Sequence, residues 1–196
     1  MRSYSLPLCT STVLEGACLH NVVLWNQQNR NSFIATFSGN SELWEISYDR
    51  NAEPIYVGLV HDYRNGEAIG KPGFLGVRRT RLDEPLEDFF VDPESPHVLG
   101  VARSGVGGVH VINLDIHRTI AVLKLPDQPR LSKTFVFVFN GQRLIAIAHG
   151  SDAANLTVSV FDMKSWTPSV DMNAQKAAAS TFKNFNQRIQ MPVPNR

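Results

Sequence analysis

Short runs of β-branched and aromatic residues alternate with clusters of Gly, Asn, Asp and Pro from residue 32 to about residue 168. One such run, residues 134–139, is followed by Asn140-Gly141, the strongest two-residue signal for a β-hairpin. We find no helical period within this region. The pattern therefore predicts an all-β domain over residues 32–168.

Three segments of the β region resemble one another: residues 43–49, 109–115 and 158–164. Each is a strand that runs into a polar turn. Their starts lie 66 and 49 residues apart (109 − 43 and 158 − 109), and a four-stranded propeller blade takes roughly 40–50 residues. The repeats therefore predict a partial β-propeller of about three to four blades, with a generic β-sandwich as the alternative. The longer first interval predicts an insertion loop over residues 60–82.

The two ends of the chain follow other patterns. Residues 1–31 give no clear period and are left as an unassigned N-terminal segment. The tail, residues 169–196, carries apolar residues at the spacing of one helix face: Ala178, Phe182, Phe185 and Ile189. We predict a short helix there, followed by an extended end at Pro192 and Pro194.

Charge and cysteine content exclude several classes of protein. Nineteen Lys and Arg residues against eighteen Asp and Glu residues give a formal net charge of +1, which argues against a nucleic-acid binder or a polybasic membrane-surface protein. No stretch approaches the ~20 apolar residues of a spanning helix, and the N-terminus lacks the apolar core of a signal peptide. Cys9 and Cys18 form no C-x-x-C pair, no zinc spacing and no C-x-x-C-H haem attachment.

The predicted insertion concentrates basic and aromatic side chains: His61, Tyr63, Arg64, Arg78 and Arg79. Arginine presents a planar fork that suits carboxylates, and loops on a rigid β scaffold are common places for binding groups. The segment is thus a candidate site for an acidic, planar ligand. The alternative is a solvated loop on which the arginines pair with acidic residues of the same region: Asp62, Glu67, Asp83 and Glu84.

Other candidate residues give weaker signals. Four histidines are scattered without metal-ligand spacing and are predicted to be strand or turn residues: His97, His110, His117 and His149. An acidic cluster made of Asp83, Glu84, Glu87 and Asp88 is a candidate for general acid–base chemistry, but without a partner in the sequence it is predicted to be a solvated turn. We find no nucleophile or metalloprotease motif.

Parts of the insertion and the residues after it resemble a known family. These are His61-Asp62-Tyr63-Arg64, Pro72-Gly73-Phe74-Leu75, Arg78-Arg79-Thr80 and residues 82–90, Leu-Asp-Glu-Pro-Leu-Glu-Asp-Phe-Phe. They resemble the haem-d1 domain of cytochrome cd1 nitrite reductase, and more closely its paralogues without a c-type haem, which make or handle the same cofactor. Residues 111–115 and 160–164 are similar to the blade strands of that family. The resemblance covers about residues 33–168.

The resemblance implies an eight-bladed propeller that holds haem d1 on its central axis, within a periplasmic denitrification system. In that family a histidine binds the iron, other histidines protonate nitrite, and arginines hold the haem carboxylates. The cofactor-binding residues that it implies here are His61, Tyr63, Arg64, Arg78, Arg79 and Arg130. Haem d1 is the implied ligand, with other denitrification proteins or further copies of the chain as candidate partners.

The sequence departs from the family pattern in ways that argue against catalysis by this chain alone. The regions that carry the nitrite-facing histidines correspond to residues 86–88 and 129–131, and neither holds a histidine. The length suffices for about half of an eight-bladed ring, and no attached c-type haem is encoded. Three functions stay open: a nitrite-reductase-like or haem-d1-handling protein, a non-catalytic propeller scaffold or interaction protein, and a truncated gene product.

Overall fold

The computed structural model describes residues 18–27, 30–56, 70–105, 108–151 and 156–189. In chain order the strands are β1 Cys18–Gln27, β2 Arg30–Ser38, β3 Asn40–Ser47, β4 Ile55–Tyr56, β5 Gly70–Lys71, β6 Val77–Arg81, β7 Leu86–Val91, β8 His97–Ala102, β9 Val109–Asn113, β10 Arg118–Leu123, β11 Pro129–Phe139, β12 Gln142–His149 and β13 Thr157–Asp162. One helix, α1 Met172–Ile189, follows them.

Most of the strands form three antiparallel sheets, in which neighbouring strands follow one another along the chain except that β6 follows β3 in sheet 1. Sheet 1 has the order β1-β2-β3-β6, sheet 2 the order β7-β8-β9-β10, and sheet 3 the order β11-β12-β13. A small pair, β4-β5, lies apart from them. Four-stranded meanders of this kind are the blades of a β-propeller. The all-β fold class, a partial propeller with a C-terminal helix, is confirmed.

Successive side chains along each strand point to opposite faces of its sheet. Each of the three sheets carries apolar residues on both faces. In sheet 2, Val98 and Ile112 face sheet 1, while Leu99 and Val111 face sheet 3. The core between sheets 1 and 2 also contains Trp25, Ile34, Leu43, Leu86, Phe89, Val91 and Leu114. The core between sheets 2 and 3 also contains Val109, Leu123, Leu131, Ile145, Ile147, Phe161 and Met163.

The first strands of the three sheets lie side by side and run in the same direction. β7 contacts β1 on one side and β11 on the other. Asp92 follows β7, and its carbonyl accepts a hydrogen bond from Trp25 Nε1 near the end of β1 at 3.0 Å. Its carboxylate accepts one from Arg143 at 2.6 Å, and Arg143 pairs with Val138 near the end of β11. These contacts bring the last residues of β1, β7 and β11 together at one end of the sheets. The first residues of the three strands therefore lie at the other end, which we call the upper end.

Two strands that complete sheet 1 lie where the sequence predicted none. β1 belongs to the segment left unassigned, where a register shift between Leu19 and Asn21 breaks the alternation. β6 lies inside the predicted insertion loop 60–82, so Arg78 and Arg79 are strand residues rather than loop residues. β6 is the outermost strand and mostly polar, and pairing with β3 holds it in the sheet. Residues 57–69 of that loop lie outside the described residues.

The hairpin and the helix follow the sequence prediction. Asn140 and Gly141 both have positive φ, at 49° and 76°, as the turn between β11 and β12 requires. α1 begins after Asp171, whose Oδ1 accepts hydrogen bonds from the backbone N–H groups of Asn173 and Ala174 at 2.8 and 3.3 Å, an N-cap. In the part of the chain that is described, no helix is long and apolar enough to cross a membrane.

Candidate functional site

Ionisable side chains of the upper end come from the beginnings of the inner strands and from the loop after β8. His20 lies on β1, Glu87 and Asp88 on β7, Arg130 on β11, and Arg103 directly after β8. We call these five residues the upper-end cluster. In a propeller the beginnings of the inner strands surround the central axis, where ligands bind.

Glu87 links three of the elements at this end. Its backbone carbonyl accepts a hydrogen bond from His20 Nε2 at 2.9 Å, which joins β1 to β7. Its carboxylate accepts one from Arg103 Nε at 3.2 Å. Both side chains of this ion pair are about half exposed, so the pair contributes little to stability and is available to exchange partners.

Asp88 is the more buried carboxylate of the cluster. A register shift between Leu86 and Asp88 turns its side chain away from the regular alternation of β7. Burial raises the pKa of Asp88, against the hydrogen bond from the backbone N–H of Phe89. The charge of Glu87 raises the pKa further, and His20 opposes it. Asp88 therefore holds a proton to higher pH than an ordinary aspartate.

Arg130 carries an unsatisfied donor. Its Nε is buried, and no acceptor among the residues described lies within hydrogen-bond distance of it. The residue pairs with Ala148 on β12 and precedes an irregular stretch of β11 that ends at Phe135. Because a buried N–H without a partner is costly, an anionic group from a ligand would stabilise this arrangement.

The structure separates the basic residues that the sequence grouped together. Arg78 and Arg79 lie on the outermost strand of sheet 1, whereas Arg130 lies on the innermost strand of sheet 3. Successive strand residues point to opposite faces, so Arg78 and Arg79 do not line one surface. The guanidinium of Arg79 lies over the ring of Trp44 at 4.5 Å and is 3.9 Å from the carboxylate of Glu42. His61, Tyr63 and Arg64 lie outside the described residues.

Sequence reasoning missed His20 and misplaced Glu87 and Asp88. The last two were predicted to lie in a solvated turn, but they belong to β7, a strand in the core. The bulge at the start of β7 hides that strand, because its buried residues, Leu86, Phe89 and Val91, are spaced by three and then two. His20 carried no signal, since its partner lies 67 residues away.

Three of the histidines predicted to be strand or turn residues are affected by burial. Burial lowers the pKa of His97, His117 and His149. His149 is buried, with Nε2 2.9 Å from Ser159 Oγ and Thr157 Oγ1 3.1 Å from Nδ1. Within the described ranges, no group of three or more His, Cys, Asp or Glu side chains is placed to hold a metal ion.

Comparison with known proteins gives a structural relative and no sequence relative. No family model and no curated protein matches the chain. Among solved structures, the chain is similar to dihydro-heme d1 dehydrogenase NirN in complex with DHE, with a TM-score of 0.55 and 25% identity. That similarity covers 78% of this chain but 27% of the other, so the chain spans about a quarter of NirN. A second structure, apo AztD from Citrobacter koseri, has 12% identity and a TM-score of 0.47, covering 83% of this chain and 36% of that one.

Proposed function

We propose that this chain is part of a propeller that handles haem d1 or a precursor of it, and that the upper-end cluster binds the tetrapyrrole. The observation that carries the proposal is the similarity to NirN over 78% of the chain. The resemblance of residues 61–90 to haem-d1 domains agrees with it. A periplasmic location and a place in denitrification belong to the same proposal.

The side chains of the upper end suit the acidic rim of such a ligand. Tetrapyrroles of this class carry carboxylates, and a guanidinium binds a carboxylate through charge-assisted hydrogen bonds. The buried Nε of Arg130 would gain the acceptor that it lacks, and Arg103 could exchange Glu87 for a ligand carboxylate. When bound, the tetrapyrrole supplies a redox-active macrocycle.

The residues at the starts of β7 and β11 favour the handling of haem d1 over the reduction of nitrite. The resemblance expects histidines at the starts of β7 and β11, and this chain has Glu87, Asp88 and Arg130 there. Asp88, with its raised pKa, can donate or accept a proton near the ligand. His61, Tyr63 and Arg64 stay predicted cofactor ligands, while Arg78 and Arg79 do not form part of the proposed site because β6 is the outermost strand of its sheet.

A visible-absorption titration of the purified chain with haem d1 tests the proposal. We expect a shift of the absorption bands at micromolar concentrations. Iron protoporphyrin IX and its dimethyl ester, used as second probes, should bind with different affinities because only the first offers carboxylates. No shift at tens of micromolar haem d1 would refute the proposed function.

A matched pair of variants tests the role of Arg130. Arg130→Met should weaken binding about tenfold to a hundredfold, since a hydrogen bond to a charged group contributes about 1.5–3 kcal/mol. Arg118→Met removes an exposed arginine from β10, the outermost strand of sheet 2, and should bind as the wild type does. Equal affinities for the two variants, with both folded by circular dichroism, would remove Arg130 from the site.

A further inference from the structure

The upper-end cluster contains two adjacent carboxylates whose surroundings differ. The carboxylate of Glu87 is about half exposed and pairs with Arg103, whose Nε lies 3.2 Å away. Asp88 is less exposed, and its carboxylate accepts a hydrogen bond from the backbone N–H of Phe89 at 2.9 Å. Within the part of the chain that is described, no arginine or lysine forms an ion pair with Asp88. Of the two carboxylates, Asp88 is therefore the one whose charge is less well stabilised.

Carboxylates outnumber arginines around the start of β7. The elements packed there contribute five further ionisable side chains at the upper end: His20 from β1, Glu84 and Glu87 from β7 and the turn before it, Arg103 from the loop after β8, and Arg130 from β11. The ends of β2 and β8 carry no ionisable side chain here. Asp127, in the turn before β11, lies beside His149, with Oδ2 3.9 Å from Nδ1. Three carboxylates, with that of Asp88 included, thus share this end with two arginines.

A ligand carboxylate at the upper end would change the partner of Arg103. Both side chains of the pair between Arg103 and Glu87 are about half exposed, so little free energy is lost when the pair is exchanged. Glu87 would then keep its charge through contact with water, but without its cation. This charge lies next to Asp88, and two like charges side by side favour the protonated form of the more buried group.

We propose that the upper-end cluster takes up a proton together with the tetrapyrrole, and that Asp88 receives this proton when Arg103 leaves Glu87 for a ligand carboxylate. The inference rests on the proposed function and adds to it a coupling between binding and pH. The proton comes from the solvent, and no covalent bond of the tetrapyrrole changes. The coupling is reciprocal, so protonation of Asp88 strengthens the binding of the tetrapyrrole by the factor by which binding strengthens protonation.

The coupling gives the affinity a defined dependence on pH. In the free protein, burial already raises the pKa of Asp88, and the charge of Glu87 raises it further. Binding raises the same pKa again, so between the two pKa values the bound protein holds more protons than the free protein. In that range the affinity for haem d1 increases as the pH falls, by up to about tenfold per pH unit for one proton.

Isothermal titration calorimetry of the full chain with haem d1 counts the protons. Titrations at the same pH in two buffers with different enthalpies of ionisation give the number taken up, and a series between about pH 6 and 8 gives the slope of the affinity. For the wild type we expect an uptake of up to about one proton per haem d1 bound. Asp88→Asn, whose amide resembles the protonated carboxyl group, should bind haem d1 with no proton uptake.

Two further variants complete the test. Asp83→Asn is the matched control, because it removes an exposed carboxylate from the turn before β7, and it should take up the proton as the wild type does. Arg103→Gln tests the exchange of partners. In this variant Glu87 lacks its cation before the ligand arrives, so the uptake of protons on binding should decrease.

Several results would overturn the inference. These are a wild type that binds haem d1 with no proton uptake, an unchanged uptake in Asp88→Asn or Arg103→Gln, and a loss of uptake in Asp83→Asn. A complete loss of binding in Asp88→Asn, with a wild-type circular dichroism spectrum, would also overturn it, because the amide should replace the protonated carboxyl group. Binding without proton uptake leaves the proposed function intact, whereas the absence of binding by the wild type refutes both.

Discussion

Glu45 gives the sharpest stability prediction, because its buried carboxylate pairs with Arg30, and Arg30 in turn contacts residues that follow β9 of sheet 2. The side chain is 1% exposed, and its carboxylate forms an ion pair with Arg30, with Nε 3.0 Å away. It also accepts hydrogen bonds from a terminal nitrogen of the same guanidinium at 3.2 Å and from Ser32 Oγ at 3.0 Å. Arg30 also pairs with Asp115 of sheet 2 and donates to the carbonyl of Leu114 at 3.4 Å. Glu45→Gln keeps the shape of the side chain and removes its charge.

The expected cost follows from burial. Breaking a buried ion pair by removing one partner costs about 3–5 kcal/mol, because the other charge stays in the protein without compensation. Arg30 is 24% exposed and keeps its contact with Asp115, so we expect the lower end of that range, about 3 kcal/mol. The matched control is Glu87→Gln, which breaks the half-exposed pair with Arg103 and should cost less than about 1 kcal/mol.

Urea unfolding, followed by tryptophan fluorescence, measures both free energies. The double variant Arg30→Met/Glu45→Gln should regain part of the loss, because it removes the uncompensated charge along with its partner. If Glu45→Gln costs no more than Glu87→Gln, the argument that burial makes the Glu45–Arg30 pair important for stability is refuted.

Three further predictions concern pH and backbone conformation. Because the pKa of Asp88 is raised in the folded protein, its contribution to stability is present below the unfolded pKa of about 3.9 and is lost as the pH rises through the folded pKa. Asp88→Asn should therefore lose less stability than the wild type between pH 4 and 7. Urea unfolding at several pH values measures this difference. Because the pKa of His149 is lowered in the folded protein, its contribution to stability is present above about pH 6.5 and is lost as the pH falls through the folded pKa. His149→Gln should therefore reduce the slope of stability against pH on the acid side. An unchanged slope would contradict this reasoning. Gly108 has φ of +94°, and an added Cβ would lie 2.3 Å from the carbonyl oxygen of Leu123, so Gly108→Ala should lower the melting temperature more than Gly105→Ala, where φ is +67° and nothing lies within 4 Å.

Local pattern predicted those parts of the fold whose signals are local. Runs of β-branched and aromatic residues identified β3, β9, β11 and β13, and Asn140-Gly141 identified the turn between β11 and β12. The spacing of Ala178 and Phe182 identified α1, because one face of that helix is buried. β1 and β7 escaped prediction because a register shift near the start of each breaks its alternation, and β6 because it is a short, mostly polar outer strand.

The candidate site could be predicted only in part, because it depends on which strands are innermost in their sheets and on which of their ends lie together. Arg130 was predicted from the resemblance and stays a prediction, which its place at the start of the inner strand β11 supports. Arg78 and Arg79 are neighbours in sequence, which made them look like one site, but neighbours on a strand point to opposite faces. The contact of His20 with Glu87, like the covering of sheet 3 by α1, arises from tertiary packing that no local pattern encodes.

Hydrogen–deuterium exchange of the full chain, with and without saturating haem d1, tests the proposed binding site most directly. We predict that protection on binding concentrates at the upper end, in residues 18–20, 86–88 and 129–131, where β1, β7 and β11 begin. Protection confined to residues 77–81 of β6, or no change in exchange anywhere, would contradict the proposed site.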